Sequence, residues 1–257
     1  MRSHVPSYEL VAARDLPHAL QLLAEGFRPI AGGTDVMVLF EAGKLVHKRW
    51  TSIREIPELR FIDVTPDHVT LGALTTYTDV RRSAILAAEF PLMTAAAALT
   101  GGIATQNRGT IGGNIVNASP AADTPPALLV YDAEVELTSP RGSRRIPYTQ
   151  FHKGYKVLDL ADDELLTSIR LPRRFASWKH FYRKVGTRRA QAISKVCFAG
   201  LRRGDDMRIA LGSVGPVPMF FDSANVLIAP IDDVRSTARY RMQVAKNLME
   251  EFLHDTA

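Results

Sequence analysis

Two glycine pairs, each set among small and polar residues, constrain this chain more than any other feature of its sequence. Residues 29–40, PIAGGTDVMVLF, carry the first pair between a short apolar strand and a helix-like run. Residues 107–126, NRGTIGGNIVNASPAADTPP, carry the second pair. Glycine accepts positive φ angles, and it lets a backbone approach a ligand closely with its N–H groups turned toward an anion. Two such segments in one chain favour a nucleotide-type ligand, although either segment alone would be interpreted as a turn.

Side chains beside the glycines supply further groups that a phosphorylated ligand uses. Thr34, Thr110 and Ser119 offer hydroxyl donors, Asn114 offers an amide, and Asp123 is an acceptor suited to a ribose or ribityl hydroxyl. Neither segment matches the dinucleotide fingerprint G-x-G-x-x-G or the P-loop pattern G-x-x-x-x-G-K-S/T. The residues therefore predict a diphosphate cofactor without identifying it.

The hydrophobic pattern changes character near Ala127. Upstream of it, helix-like and strand-like segments alternate, and residues 103–126 are so rich in small and polar residues that we predict a long functional loop there. Downstream, strand-like segments separated by turns predict an antiparallel sheet rather than βαβ units. Residues 232–256 are predicted to be an amphipathic helix capped by Asp232 or Asp233. The fold class is therefore α+β, and the Pro-Arg-Arg sequence at 172–174 is the best candidate for a domain boundary.

The composition excludes several classes of protein. The formal net charge of +5 over 257 residues is too small to indicate a nucleic-acid binder. Because Cys197 is the one cysteine, this chain alone cannot hold a disulfide framework, a C-x-x-C redox pair or an iron–sulfur cluster. The seven histidines are isolated and no acid–base constellation is evident, so we predict no metal ligand and no catalytic residue.

A basic run at 179–189, KHFYRKVGTRR, interleaves cations with aromatic residues, which is one pattern of nucleic-acid binding. Strand alternation would place these charges on more than one face, which argues against that interpretation. No apolar stretch approaches the roughly 18 residues of a membrane span, and the start, MRSHVPSYELVAARDL, lacks the apolar core of a secretory signal. We therefore expect a soluble, cytoplasmic protein with no nucleic-acid partner.

A series of motifs resembles one family throughout most of the chain. In order they are IAGGTDVM, LGALTTYTDV, NRGTIGGNIVNASPAADTPPALLVYDAEVEL, FHKGY, DDELLTSIRLP and FYRKVGTRRAQAISKV. They resemble the FAD-binding medium subunit of molybdenum hydroxylases, the family that includes xanthine and carbon monoxide dehydrogenases. The resemblance implies a PCMH-type FAD-binding domain over residues 1–172, with two α/β lobes split near residue 57. It also implies a small C-terminal α+β domain over residues 173–257, shortened between 217 and 232, with an antiparallel sheet and a terminal helix.

The resemblance also implies which residues bind a non-covalent FAD. The loop from Ala31 to Asp35 would wrap the pyrophosphate, and the segment from Thr110 to Asn114 would complete that contact. Asp123 would contact the sugar or ribityl chain. The predicted cofactor-binding set is Ala31, Gly32, Gly33, Thr34, Asp35, Thr110, Ile111, Gly112, Gly113, Asn114, Ser119, Asp123, Leu160 as an apolar contact, and Lys184 near the flavin ring.

The function that the resemblance implies is electron transfer. Electrons from a molybdopterin centre on a large subunit would pass through 2Fe-2S clusters on a small subunit to this FAD, and then to NAD or another acceptor. The complex would be a dimer of heterotrimers. Two alternatives stay open: a stand-alone FAD-dependent oxidase of the same fold, and a structural subunit without a cofactor.

Overall fold

The N-terminal lobe is a three-stranded parallel sheet in which β3 lies between β1 and β2. The computed structural model describes residues 6–257, and its first elements are β1 (Glu9–Ala12), α1 (Leu16–Ala24), β2 (Arg28–Ile30), α2 (Val36–Glu41) and β3 (Arg49–Ser52). Helix α1 begins where the sequence has a capping residue, because the Asp15 carboxylate accepts the His18 N–H and Pro17 lies in the first turn. Leu23 and Ile56 are part of a separate core beneath this sheet.

The central part is a five-stranded antiparallel sheet in the order β4-β5-β10-β6-β7. Its strands are β4 (Ile62–Val64), β5 (His68–Gly72), β6 (Glu134–Ser139), β7 (Gly142–Pro147) and β10 (Leu165–Pro172), and a small ribbon of β8 (His152–Gly154) and β9 (Val157–Leu158) lies between β7 and β10 in the chain. Six short helices connect β5 to β6: α3 (Tyr77–Arg82), α4 (Ala84–Glu89), α5 (Pro91–Leu99), α6 (Ile103–Arg108), α7 (Ile111–Asn117) and α8 (Pro125–Val130). These helices share the largest core with the sheet, because Val80, Met93 and Ile111 belong to the same buried cluster as Leu71 and Val135.

The C-terminal part is a four-stranded antiparallel sheet with one long helix, as the sequence predicts. Its elements are β11 (Lys179–Val185), β12 (Val196–Arg203), β13 (Asp206–Gly212), β14 (Met219–Phe221) and α9 (Ala238–Asp255). Side chains of β12 alternate between two cores: Phe198 packs against Phe252 of α9, whereas Cys197 and Ala199 belong to the central core. The sheet therefore lies between α9 and the central helices, with Gly212 close to Pro126 of α8.

Two local predictions are wrong. Residues 103–126 are not a long loop, because most of the segment forms α6, α7 and the start of α8. Helix α7 includes Gly112 because the absence of a side chain at this position lets the helix lie against Ala73. The terminal helix begins at Ala238 rather than at residue 232, with Thr237 as its N-cap; the Thr237 hydroxyl accepts the Tyr240 N–H, and Asp232 Oδ1 accepts the Ala238 N–H at 2.7 Å.

The α+β class is confirmed by this arrangement of elements. The division into residues 1–172 and 173–257, and the shortening of the second unit, stay predictions. None of the helices in residues 6–257 is both long and apolar enough to cross a membrane.

Candidate cofactor site

The first glycine segment leaves a row of backbone donors unused. Within residues 6–257, the N–H groups of Gly32, Gly33, Thr34 and Asp35 have no hydrogen-bond acceptor. Gly33 has a φ of 73°, a left-handed conformation that turns the backbone between β2 and α2. Successive unpaired N–H groups in such a turn form a concave site for an anion. This loop therefore has the donors that the sequence predicts for a diphosphate.

A close backbone contact fixes this loop against the end of α6. A Cβ placed on Gly32 would lie 1.8 Å from the carbonyl oxygen of Arg108, so only glycine fits. The Arg108 Nε also donates to the Gly32 carbonyl at 3.3 Å. Because Arg108 precedes Thr110 by two residues, the contact brings the two glycine segments together although they are far apart in the chain.

The second glycine segment uses its backbone donors internally, contrary to the expectation that they face an anion. All four N–H groups of residues 111–114 donate to protein oxygens. Their acceptors are the Thr75 carbonyl for Ile111, the Ala73 carbonyl for Gly112, the Thr110 hydroxyl for Gly113 and the Thr110 carbonyl for Asn114. Gly112 is required for packing, because a Cβ there would lie 2.6 Å from the Ala73 Cβ. The segment can therefore offer a ligand its side chains but not these N–H groups.

Asn114 has an unused acceptor of its own. Its side-chain oxygen Oδ1 is buried and has no hydrogen-bond partner in residues 6–257. A buried polar atom without a partner costs free energy, so such atoms are rare unless a ligand or water completes them. Asn114 lies in α7, one turn beyond Thr110, whose hydroxyl accepts the Gly113 N–H and keeps a proton to donate. Both groups fit contacts to a polar ligand.

Asp123 and Lys184 form a buried ion pair. The Lys184 Nζ lies 2.7 Å from Asp123 Oδ2, and the two side chains are only 6% and 8% exposed. Ser194 donates its hydroxyl to the other carboxylate oxygen at 2.6 Å, and Lys184 also donates to the Leu99 carbonyl at 2.8 Å. Burial raises the pKa of Asp123, and the charge and hydrogen bond of Lys184 oppose that rise. The lysine charge is therefore neutralised by its partner.

The peptide at Asp123 is also tied to the C-terminal sheet. Tyr182 donates its hydroxyl to the Asp123 carbonyl at 2.8 Å, and the Cys197 thiol lies 3.2 Å from the Tyr182 oxygen. Burial raises the pKa of the Cys197 thiol far above its usual value, so this cysteine stays a neutral thiol. Its environment is that of a buried core residue.

The remaining predicted residues have more local surroundings. The Ser119 hydroxyl accepts the Ala121 N–H within a turn, and Leu160 packs as a half-buried side chain against the central core. Sequence reasoning missed Arg108 and Ser194. A serine that precedes an apolar strand and an arginine in a polar segment carry no distinguishing signal, because their roles depend on contacts across 71 and 76 residues of chain.

Comparisons with known proteins agree on one family. Residues 6–174 match the family described as the FAD binding domain in molybdopterin dehydrogenase. The chain is 33% identical to the glyceraldehyde dehydrogenase medium chain of Sulfolobus acidocaldarius, over 83% of this chain and 78% of that protein. It is 31% identical to the putative xanthine dehydrogenase FAD-binding subunit of Escherichia coli, over 95% and 85%. Its structure superimposes on carbon monoxide dehydrogenase from Hydrogenophaga pseudoflava with a TM-score of 0.91 and 26% identity, covering 98% of both chains.

Proposed function

Because the chain belongs to the family of the FAD-binding domain of molybdopterin dehydrogenases, we propose that it is the electron-transfer subunit of a molybdenum hydroxylase complex. The named relatives are dehydrogenase subunits, and the chain is accordingly an FAD-binding oxidoreductase subunit. In the proposed role it takes electrons from 2Fe-2S clusters of a small subunit. It passes them to NAD or another acceptor. A molybdopterin-carrying large subunit completes a heterotrimer, two of which associate, in the cytoplasm.

The observation that carries the proposal is the row of unused donors at residues 32–35. When bound, FAD supplies the capacity to accept and release electrons. The backbone N–H groups of residues 32–35 would bind its diphosphate. The Asn114 amide oxygen would accept a hydrogen bond from the cofactor, and the Thr110 hydroxyl would donate one. Each of these groups can make a hydrogen bond that the protein leaves unmade, and a polar ligand would supply the missing partner.

The Asp123–Lys184 pair would set the electrostatic field near the flavin ring. Lys184 alone would favour a negatively charged reduced flavin, but its charge is opposed by Asp123 at 2.7 Å. We therefore propose that the pair acts as a fixed dipole. The orientation of this dipole, rather than a net positive charge, sets how strongly the negatively charged reduced flavin is favoured. Asp123 then acts through Lys184 in addition to any hydrogen bond it makes to a cofactor hydroxyl.

The identity of the cofactor can be tested directly. The protein is purified and denatured, and the released flavin is separated and weighed by mass spectrometry. We expect FAD in about one copy per chain, released without a covalent bond. Recovery of FMN, of flavin still attached to the chain, or of no flavin after incubation with FAD would contradict the proposal.

The role in a complex needs a second experiment. The isolated chain is assayed with purines, aldehydes and N-heterocycles, and the assay is repeated with the co-expressed large and small subunits. We expect substrate oxidation only in the assembled complex, with NAD, quinones and dyes compared as acceptors. Substrate oxidation by the isolated chain would support the stand-alone oxidase instead.

A further inference from the structure

Arg241 of helix α9 is an arginine with no exposed surface. Its guanidinium makes three contacts with protein oxygens. The Nε donates to the Lys195 carbonyl at 3.2 Å, the Nη1 to the Ile231 carbonyl at 2.5 Å, and the Nη2 to Asp233 Oδ1 at 2.7 Å. Burying a guanidinium is costly, so an arginine is found fully buried where its hydrogen bonds and an anion are in place.

Asp233 extends these contacts toward the start of β12. Its second oxygen, Oδ2, accepts the Arg235 Nε at 3.0 Å. The Arg235 Nη1 in turn donates to the Ser194 carbonyl at 3.4 Å. Arg241 therefore bridges the Lys195 carbonyl and the Asp233 carboxylate, and Arg235 bridges the Ser194 carbonyl and the same carboxylate.

Ser194, one of the two residues held in this way, also contacts Asp123. Ser194 donates its hydroxyl to Asp123 Oδ1 at 2.6 Å, and its side chain has no exposure to solvent. The opposite carboxylate oxygen is paired with Lys184. An unbroken series of hydrogen bonds thus leads from α9 to the buried ion pair, and each member of the series is largely shielded from water.

We propose that Arg241 and Ser194 are positioning residues for FAD binding: Arg241 fixes the backbone at Ser194 and Lys195, and Ser194 orients the Asp123 carboxylate. The inference rests on the proposed function, because it takes the Asp123–Lys184 pair to lie at the cofactor. It assigns the terminal helix a role in cofactor affinity, although α9 contributes no residue to the predicted FAD contacts.

This series of hydrogen bonds connects α9 to Asp123, which the other contacts between α9 and the sheet do not do. Arg202 also joins the C-terminal sheet to α9, through an Nη1 bond of 3.0 Å to the Leu253 carbonyl. That bond lies at the other end of α9 and has no continuation to Asp123. Arg202 is therefore a matched control: its loss removes an arginine-to-carbonyl bond to the same helix without touching the positioning series.

The experiment measures the FAD dissociation constant of the full-length chain, stripped of flavin and titrated with FAD well below the unfolding temperature of every variant. Ser194→Ala should weaken FAD binding about tenfold, as expected when a hydrogen bond to a charged group is lost. Ser194→Thr keeps the hydroxyl and should restore most of the affinity. Arg241→Lys should weaken binding several-fold, and Arg202→Gln should leave the constant within twofold of the unaltered chain.

A double variant identifies the route. If Arg241 acts through Ser194, the Arg241→Lys/Ser194→Ala chain should bind FAD no more weakly than Ser194→Ala alone, because the step that Arg241 supports is already lost. Multiplying effects would overturn the proposal, as would unchanged FAD binding in Ser194→Ala. Should Arg241→Lys fail to fold, Arg235→Gln removes the bond to the Ser194 carbonyl and takes its place. Failure of the unaltered chain to bind FAD would instead contradict the proposed function itself.

Discussion

The backbone of Gly32 lies so close to Arg108 that a Cβ on Gly32 would be 1.8 Å from the Arg108 carbonyl oxygen. The contact joins the loop that follows β2 in the N-terminal lobe to the last residue of α6 in the central part. No side chain can adjust to relieve an overlap between a Cβ and a backbone carbonyl. The absence of a side chain at Gly32 therefore sets how closely the loop that carries the donor row at residues 32–35 approaches Arg108 and Gly109.

Substituting Gly32 should separate the two segments. Gly32→Ala forces the loop away from α6, so we expect FAD binding to fall at least tenfold and the free energy of unfolding to drop by about 2 kcal/mol. Flavin content after purification and urea denaturation measure the two effects. Gly43→Ala is the control, because Gly43 has a φ of 67° with no atom near its Cβ position. It should cost about 1 kcal/mol of stability and leave FAD binding intact. Equal FAD binding in both variants would contradict this account.

Asn114→Ala should change stability and affinity in opposite directions. Its Oδ1 is buried without a partner in the ligand-free chain, so removing it should leave the unfolding free energy unchanged or raise it by up to about 1 kcal/mol. If the cofactor supplies that partner, FAD affinity should fall about tenfold. Thermal unfolding with and without FAD measures both effects on one sample. A variant that is destabilised yet binds FAD normally would show that Asn114 has a structural role only.

The neighbouring glycines of α7 should differ from each other. A Cβ on Gly112 would lie 2.7 Å from the Ala73 carbonyl, whereas a Cβ on Gly113 would meet only the Thr110 hydroxyl, at 2.9 Å. We expect Gly112→Ala to cost about 2 kcal/mol or more of unfolding free energy, and Gly113→Ala to cost less than 1 kcal/mol. Gly113→Val should lower FAD occupancy while the far-UV circular dichroism changes little. Chemical denaturation of the two alanine variants checks the order, and equal losses would contradict it.

The sequence motifs identify the two segments of the candidate site, but they do not show which backbone N–H groups in those segments are free to bind a ligand. The turn in the first glycine segment can be predicted from the local sequence, because paired glycines between a strand and a helix are typical of a turn. The second segment cannot be interpreted in this way, because whether the N–H groups of residues 111–114 face a ligand depends on where Ala73 and Thr75 lie. Those residues belong to a different part of the chain, so no local pattern shows that they accept these hydrogen bonds.

Helices α6, α7 and α8 are not predicted by the sequence, for a related reason. Helix α7 contains two glycines and two asparagines, which have low helix propensity, and the segment is helical because the tertiary contacts and the Thr110 cap stabilise it.

Arg241 illustrates the converse case, in which the sequence pattern does indicate a buried contact. The sequence places it in line with Ala245, Leu248 and Phe252 on the apolar face of α9, and all four are buried. A charged residue on an apolar helix face was a detectable sign of a buried contact.

The Asp123–Lys184 pair should be strongly coupled. Lys184→Met leaves the carboxylate buried without its cation, so we expect a loss of about 3 to 5 kcal/mol in unfolding free energy. Because burial raises the pKa of Asp123 and the lysine no longer opposes the rise, the loss should be smaller at pH 5 than at pH 8. Asp123→Asn combined with Lys184→Met should cost less than the sum of the single changes. Additive losses, or a loss independent of pH, would show that the pair is not coupled.

Asp233 should make the stability of the chain depend on pH in the acid range. Burial alone would raise the pKa of Asp233, but hydrogen bonds from Arg241 and Arg235 outweigh that effect, so the pKa lies well below its ordinary value. A lowered pKa in the folded state means that the stabilisation is complete above the ordinary aspartate pKa of about 3.9 and is lost as the pH falls below it. Asp233→Asn should therefore be less stable than the unaltered chain by about 3 kcal/mol at pH 7, with a difference in unfolding free energy that narrows below about pH 4.

Urea denaturation from pH 7 to pH 3 measures this difference. Asp205→Asn, at an exposed aspartate between β12 and β13, controls for the loss of one negative charge. A difference that stays constant down to pH 3 would mean that the arginines do not hold the Asp233 carboxylate in its charged form.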